Sequence, residues 1–269
     1  MRFGFHLSIS GGFKNVPLRM IEGTETFQIF PSNPRGWSKK PIEEDDIKEF
    51  KKLIKERNIK DFVVHSTYLP KLNTKDKNLR KKSVIAIKEE IERTVKLGGK
   101  YFVIHLGVKS GEKEYFKESL QEIVTDKTMI LLENTSYIKI KDIGDFLREF
   151  KNVGFCFDTA HAFEAGYDLR KKEKIKELLN EINDNLPLEM IKVIHLNDSM
   201  TIFNSNVDRH YHIGRGFIGI SGFIRFFEIE YFTTLPIIME TPEGEELDRM
   251  NLKAAKFVES LLKDGKDIS

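Results

Sequence analysis

The chain reads as an α/β protein forming a single (β/α)8 barrel, with its active site at the C-terminal face of the strands. Three observations point there. Eight short apolar runs rich in Val, Ile and Phe recur along the 269 residues. Most are followed by a longer segment with helical periodicity. No Gly-rich phosphate fingerprint follows the first run, which weighs against an open dinucleotide-binding sheet. Continuous apolar strands separated by helices describe a parallel sheet covered on its outer face. Eight such units in a chain of this length favour closure into a barrel. No linker, low-complexity tract or break in composition interrupts the sequence, so one domain over residues 1–269 is expected.

The runs occupy residues 3–6, 26–30, 62–65, 101–105, 129–133, 154–158, 191–195 and 237–240. Helical patterns fall at 43–57, 78–97, 171–181 and 247–262. In the second of these, Val84, Ile87, Ile91, Thr94 and Val95 gather near one face and Lys, Arg and Glu lie opposite, as an amphipathic helix requires. Gly98-Gly99 supplies its expected C-cap.

A content of 40% hydrophobic and 32% charged residues fits a soluble globular protein. The net charge of +2 neither demands nor excludes nucleic acid, because clustering decides that question. Basic clusters lie at 35–40, 71–82 and 170–176, and their simplest reading is solvated surface. The single cysteine, Cys156, rules out an internal disulfide and suits a reducing compartment. Set between Phe155 and Phe157, it reads as a small buried hydrophobe. The N-terminus lacks the apolar region of a signal peptide, and no run approaches the roughly 18 apolar residues of a membrane span. A cytoplasmic protein without a membrane partner is expected.

The informative feature is how the runs end. Six of the eight terminate in a residue able to bind a metal: His65, His105, Glu133, Asp158, His195 and Glu240. Strand C-termini of a parallel barrel open on one face, so these side chains would converge. Such side chains are costly to bury unless paired or bound. Loops add His161, Asp208 and His210. The stretch 195–214 alone, with His195, Asp208 and His210, suggests one metal. The full set of five His, two Asp and two Glu exceeds the three or four protein ligands that one zinc takes, so two or three metals sharing a carboxylate are expected. A multi-metal cluster suits phosphoester hydrolysis, where attacking and leaving oxygens are clamped together.

At this point the sequence resembles a known family. The segment Phe155-Cys-Phe-Asp-Thr-Ala-His-Ala-Phe-Glu-Ala-Gly-Tyr-Asp-Leu169 is similar to a signature of the endonuclease IV family of zinc-dependent apurinic/apyrimidinic (AP) endonucleases. So are His195-Leu-Asn-Asp-Ser199 and Val207-Asp-Arg-His-Tyr-His-Ile-Gly-Arg-Gly-Phe-Ile-Gly219. Shorter matches are Val64-His-Ser-Thr-Tyr-Leu69, Leu132-Glu-Asn-Thr135, Met239-Glu-Thr-Pro242, His6-Leu-Ser-Ile-Ser-Gly-Gly12 and Phe30-Pro-Ser-Asn-Pro-Arg-Gly-Trp37. They span the chain in the family's order, and the family lies within the xylose isomerase-like TIM barrels.

The resemblance implies a three-zinc centre. His65, His105 and Glu133 would hold the first ion, and Glu133 would bridge to a second completed by Asp158, His195 and Glu240. His161, Asp208 and His210 would hold the third. Manganese suits a similar donor set at one site. The implied reaction is hydrolysis of the phosphodiester 5′ to an abasic (AP) site in duplex DNA, leaving a 3′-hydroxyl and a 5′-deoxyribose phosphate. Glu133 would position the attacking water, which bound zinc makes acidic enough to react near neutral pH. Recognition of abasic or otherwise damaged duplex DNA would use bending and nucleotide extrusion. Arg35, Tyr68 and Leu69 match positions that insert into the DNA stack. Lys39, Lys40 and the basic residues of 71–82 are candidates for phosphate contacts. A monomer is expected.

The sequence departs from the family in places. Leu106 follows His105 where proline is common, and Ser136-Tyr-Ile-Lys139 replaces a small, Gly-containing stretch, which affects that loop's substrate contacts. His212 matches a family histidine outside the ligand set. His6 fits either the mouth of the site or core packing. A metal-dependent sugar isomerase or epimerase on the same barrel is the enzymatic alternative, usually with one or two metals; the pair Asp208 and His210 and the loop 30–37 favour the nuclease. A DNA-binding or metal-buffering barrel with a lapsed site is opposed by the complete ligand set.

Overall fold

In the computed structural model, which describes residues 1–242 and 244–264, the apolar runs become parallel strands. They are β1 (Arg2–His6), β2 (Thr26–Ile29), β3 (Val63–His65), β4 (Tyr101–His105), β5 (Met129–Glu133), β6 (Val153–Asp158) and β7 (Ile191–His195). Two-residue strands β8 (Asp198–Ser199) and β9 (His210–Tyr211) pair antiparallel, and β10 (Pro236–Met239) is the last barrel strand. The barrel closes in the order β1-β10-β7-β6-β5-β4-β3-β2. Strand ends move by a residue from the sequence expectation. β10 starts at Pro236, a position where the missing N–H costs little, and Glu240 is the first residue beyond it.

The helices are α1 (Glu44–Glu56), α2 (Lys77–Leu97), α3 (Lys113–Ile123), α4 (Ile140–Glu149), α5 (Thr159–Glu164), α6 (Lys172–Asn185), α7 (Gly219–Phe227) and α8 (Glu245–Lys263). The α2 ends follow from its caps. Asp76 accepts from the N–H groups of Asn78 and Leu79, and Gly98 takes a left-handed φ of 86° while its N–H reaches Thr94 and Val95 carbonyls. The expected helix 171–181 continues to Asn185, because Ile182 extends the buried stripe of Ile175 and Leu178 until Pro187 ends it. No α-helix follows β1. The connection makes two 3₁₀ turns, Phe13–Asn15 and Pro17–Arg19, after Gly11 and Gly12 at φ 75° and 103°. Asp46 of α1 accepts from Phe13 N–H (2.8 Å) and Lys14 N–H (2.9 Å), fixing this turn.

The chain divides into two compact units. One comprises Met1–Phe5, Asn134–Asp145 and the described part of Phe155–Ser269; the other comprises His6–Glu133 and Phe146–Gly154. The first is centred on aromatic rings from β6 and α7: Phe157 lies 5.2 Å from Phe226, which lies 4.8 Å from Phe232. In the second, Phe62 stacks on Phe27 of β2 at 5.2 Å and meets Phe50 of α1 edge-on at 5.3 Å. Such pairs add directional attraction to area burial and fix how helix and strand meet. Cys156 is fully buried. No described helix is long and apolar enough to cross a membrane.

Candidate metal centre

Strand register places the first group of ligands. Residues in register on neighbouring parallel strands share a face and a level. His105 of β4 is in register with Glu133 of β5, while His65 of β3 pairs with Val103, two residues before His105 on the same face. The Nε2 atoms of both His65 and His105 lie 3.0 Å from Glu133 Oε2. Glu133 is fully buried and His65 nearly so, whereas the His105 side chain is 40% exposed and opens the site. His65 Nδ1 is 2.8 Å from the Ser66 carbonyl, which can only accept, so Nδ1 carries the proton. In the neutral ring, Nε2 then aims a lone pair at a carboxylate oxygen, a repulsive arrangement that a cation between them reverses.

Within the other unit the same logic delivers Asp158 and His195, which are in register on β6 and β7. Ile238 of β10 is in register with His195, and Glu240 follows two residues on, pointing the same way. His195 Nδ1 lies 3.2 Å from Glu240 Oε2 and 3.9 Å from Asp158 Oδ2. Donor atoms of Asp158, His195 and Glu240 all lie within 4.8 Å of one another.

His161, Asp208 and His210 form a further group. His161 Nδ1 donates to the Asn134 carbonyl at 2.9 Å, and His210 Nδ1 sits 3.3 Å from the Glu240 carbonyl. In neutral rings these two contacts would leave the Nε2 lone pairs facing each other, the atoms being 3.3 Å apart. Two donors at about 2.0–2.1 Å from a tetrahedral zinc stand roughly 3.3 Å apart, so this spacing fits chelation of one ion. Asp208 Oδ1 lies 3.3 Å from His161 Nε2 and 3.8 Å from His210 Nε2. Asp158 Oδ2 is 3.6 Å from His210 Nε2, so this carboxylate stands between the His195 group and the His161 group rather than wholly in the former.

An outer layer of residues aims these ligands, and the sequence reading quoted them in its motifs without giving them a role. Asn134 pairs with the Asp158 backbone in both directions, at 2.8 and 2.9 Å. Asn197 donates to Asp158 Oδ2 (2.7 Å) and accepts from the Glu240 N–H (2.8 Å), coupling two ligands. Asp158 also caps α5, accepting from the His161 N–H at 2.8 Å. Such supports fix ligand orientation and tautomer. The fully buried Glu164 has its pKa pushed up to about 7, chiefly by burial, against the pull of its Ser199 hydrogen bond. For Asn134 and Asn197 the sequence signal is polarity beside a strand end, and Glu164, at the end of α5, lacks even that.

Asp198 holds the loop that follows β9. Its carboxylate accepts backbone N–H groups from Ser199, Gly214, Gly216, Ile218 and Gly219 at 2.9–3.2 Å. Burial pushes the carboxyl's pKa up, and these donors oppose that shift. A Cβ on Gly216 would meet the Ser199 carbonyl at 2.3 Å and Asp198 Oδ1 at 2.4 Å, so only glycine fits. Asp198→Asn presents an amide donor to a ring of donors. It is expected to lower stability by about 2–3 kcal/mol, measurable as a shifted midpoint in denaturant at unchanged slope.

The candidate DNA-inserting residues lie on loops. Arg35 is exposed, Tyr68 is 57% exposed with its ring 5.1 Å from Phe30, and Leu69 is half-buried. Lys39 departs from the phosphate-contact expectation. Its ammonium is nearly buried, donating to the Ala86 carbonyl at 2.5 Å and lying 3.3 Å from the fully buried Glu90. Glu90 in turn accepts from Thr67, linking Lys39 to the residue before Tyr68. Lys40 remains exposed. Lys82 is taken up over the Trp37 ring at 4.1 Å. His212 is buried, its Nδ1 accepting from the Asn251 side-chain amide at 3.2 Å, and His6 meets Gln28 at 3.0 Å and Phe30 at 4.2 Å. Leu106 is buried, and Ser136 is buried in the divergent loop after Thr135.

Comparison with known proteins adds an independent line. A family model for the xylose isomerase-like TIM barrel matches residues 22–261. The chain is 37% identical to a probable endonuclease 4 of Halothermothrix orenii, over 93% of this chain and 96% of that protein. It is also 37% identical to a probable endonuclease 4 of Nitrosopumilus maritimus, over 95% and 99%. Among solved structures, endonuclease IV from Thermus thermophilus superposes with a TM-score of 0.88 at 30% identity, covering 97% of this chain and 99% of that one. A D-tagatose 3-epimerase-like protein superposes at 0.74 with 19% identity and shares the fold alone.

Proposed function

The chain belongs to the endonuclease 4 family of xylose isomerase-like TIM barrels, and on that premise we propose that it is an AP endonuclease acting as a single catalytic domain. The substrate is duplex DNA containing abasic or otherwise damaged sites. The cut falls 5′ to the lesion and leaves a 3′-hydroxyl and a 5′-deoxyribose phosphate. Three zinc ions per chain are held by the groups His65, His105 and Glu133; Asp158, His195 and Glu240; and His161, Asp208 and His210. The enzyme works as a monomer.

The observation that carries this reading is the paired tautomer arrangement. His161 gives its Nδ1 proton to a backbone carbonyl, His210 sets its Nδ1 beside another, and their Nε2 atoms meet 3.3 Å apart with Asp208 alongside. A core packed for stability alone would not aim two lone pairs at each other. Zinc, when bound, supplies Lewis acidity toward phosphate oxygens and acidifies water. The protein's part is to orient and to exclude competitors. Glu133, fully buried, would orient the attacking water. Asn197 and Asn134 keep Asp158 and Glu240 from rotating away. Arg35, Tyr68 and Leu69 fill the space left in the stack when the abasic nucleotide leaves it.

Zinc-loaded protein is expected to nick a 5′-labelled duplex carrying a tetrahydrofuran abasic analogue, with no added magnesium, at the bond 5′ to the analogue. Metal analysis of the same preparation is expected to give about three zinc per chain. An intact duplex together with turnover of a keto-sugar would instead establish an isomerase or epimerase.

A further inference from the structure

Glu164 ends α5, three residues after His161, and its side chain is fully buried. Its Oε1 accepts from Ser199 Oγ at 2.7 Å, from the Arg209 backbone N–H at 3.2 Å and from Thr201 Oγ1 at 3.3 Å. Its backbone carbonyl accepts twice from Asn206, from N–H and side-chain amide, at 3.0 Å each. Five donors drawn from both sides of the segment 199–209 therefore converge on one residue. That segment delivers Asp208 and His210. Arg209, whose amide the carboxylate grips, sits between them.

The segment's other supports lie away from Asp208, at its tip and its base: Asn204 N–H reaches the Phe163 carbonyl at 3.2 Å, and Thr201 Oγ1 lies 2.8 Å from Ser205 Oγ. The β8–β9 ribbon spans two residue pairs, extended by one bond from Met200 N–H to the Arg209 carbonyl. Past it, Ile202 and Val207 are exposed, and Asn204 and Asn206 turn the chain at φ 59° and 56°. The segment's apolar anchor, Phe203 edge-on to Phe163 at 5.5 Å, lies five residues before Asp208, whose own side chain is 56% exposed. Stability alone does not account for a carboxylate here, because its second oxygen, Oε2, is buried without a hydrogen-bond partner, an arrangement that costs free energy.

We infer that Glu164 is the positioning residue of the third metal group, fixing Arg209 and so setting Asp208 and His210 at chelating distance from His161. This role rests on the three-zinc reading above. The residue touches neither substrate nor the reacting atoms. Its loss selectively weakens one ion of three.

The test counts zinc. Wild-type protein, Glu164→Ala and Glu164→Gln are equilibrated against graded free zinc, and bound metal is measured alongside circular dichroism. Wild type is expected to hold about three ions. Glu164→Ala is expected to hold about two under the same conditions, its third ion bound at least tenfold more weakly, with incision recovering at high zinc. Glu164→Gln keeps an oxygen acceptor and is expected to bind the third ion within about threefold of wild type. Should the alanine variant misfold, Ser199→Ala removes the shortest of the five bonds and is expected to weaken the third ion severalfold. A third ion held with wild-type affinity in Glu164→Ala, or in Ser199→Ala, overturns the inference. Loss of all three ions in parallel also overturns it, because the residue then acts only on overall stability. A wild-type count below three instead overturns the three-zinc reading on which the inference stands.

Discussion

Glu133→Gln is expected to reduce incision of an abasic duplex by at least about 10³-fold while changing equilibrium binding to that duplex by less than about tenfold. The asymmetry follows from where the residue sits. Its carboxylate is fully buried, with one oxygen 3.0 Å from both His65 Nε2 and His105 Nε2. The amide has the same shape but no charge. In one flip it turns N–H donors toward the imidazoles, and in the other it offers a neutral oxygen where the proposed centre calls for an anion. Either way the group would lose the negative charge that the proposed reading assigns to holding metal and orienting water. Binding would be spared because Arg35, Tyr68 and Leu69, the proposed DNA contacts, lie on other loops with their own supports; Tyr68 N–H, for example, bonds the Pro34 carbonyl at 3.3 Å. Single-turnover kinetics beside fluorescence anisotropy separates the two effects. Wild-type turnover in the variant would remove Glu133 from the chemistry.

The gathering of histidines and carboxylates at strand ends was legible in the sequence for a physical reason. A parallel strand is an apolar run, and a histidine or carboxylate terminating one has a direction set by alternation and a level set by register. His105 with Glu133 and Asp158 with His195 are such pairs. The α2 helix was legible through Gly98, because φ of 86° suits glycine. The connection after β1 was not. Its turns depend on Asp46, more than thirty residues away, accepting two of its N–H groups. Lys39 was misread for a similar reason. A lysine in a basic cluster looks solvated until Glu90, fifty-one residues later on α2, is seen to bury it. Asn134, Asn197 and Glu164 stayed silent because a polar residue beside a ligand declares its role only through the partners it meets. The division of Asp158 between neighbouring ligand groups likewise depends on loop geometry that spacing does not encode.

Removing the metal is expected to cost both activity and fold. The nine donors include four carboxylates, and Glu133 and Asp158 among them have no exposure to water. Desolvated carboxylates gathered at one site are costly without cations to pair them, so the metal-free protein is expected to loosen around them. An ion free at about 10³ times its dissociation constant stabilises the folded state by about 4 kcal/mol per site. At roughly 2–4 °C per kcal/mol for a chain approaching this size, stripping even one tight site lowers the melting temperature by on the order of 10 °C. Exhaustive dialysis against a strong chelator should therefore abolish incision and shift thermal unfolding together. Zinc should restore both. Magnesium alone should restore neither, because it prefers oxygen ligands and retained water, whereas this centre offers five imidazoles. A chelated protein that melts at the wild-type temperature would show that the buried carboxylates are satisfied without metal, and full recovery in magnesium would assign the chemistry to a different centre.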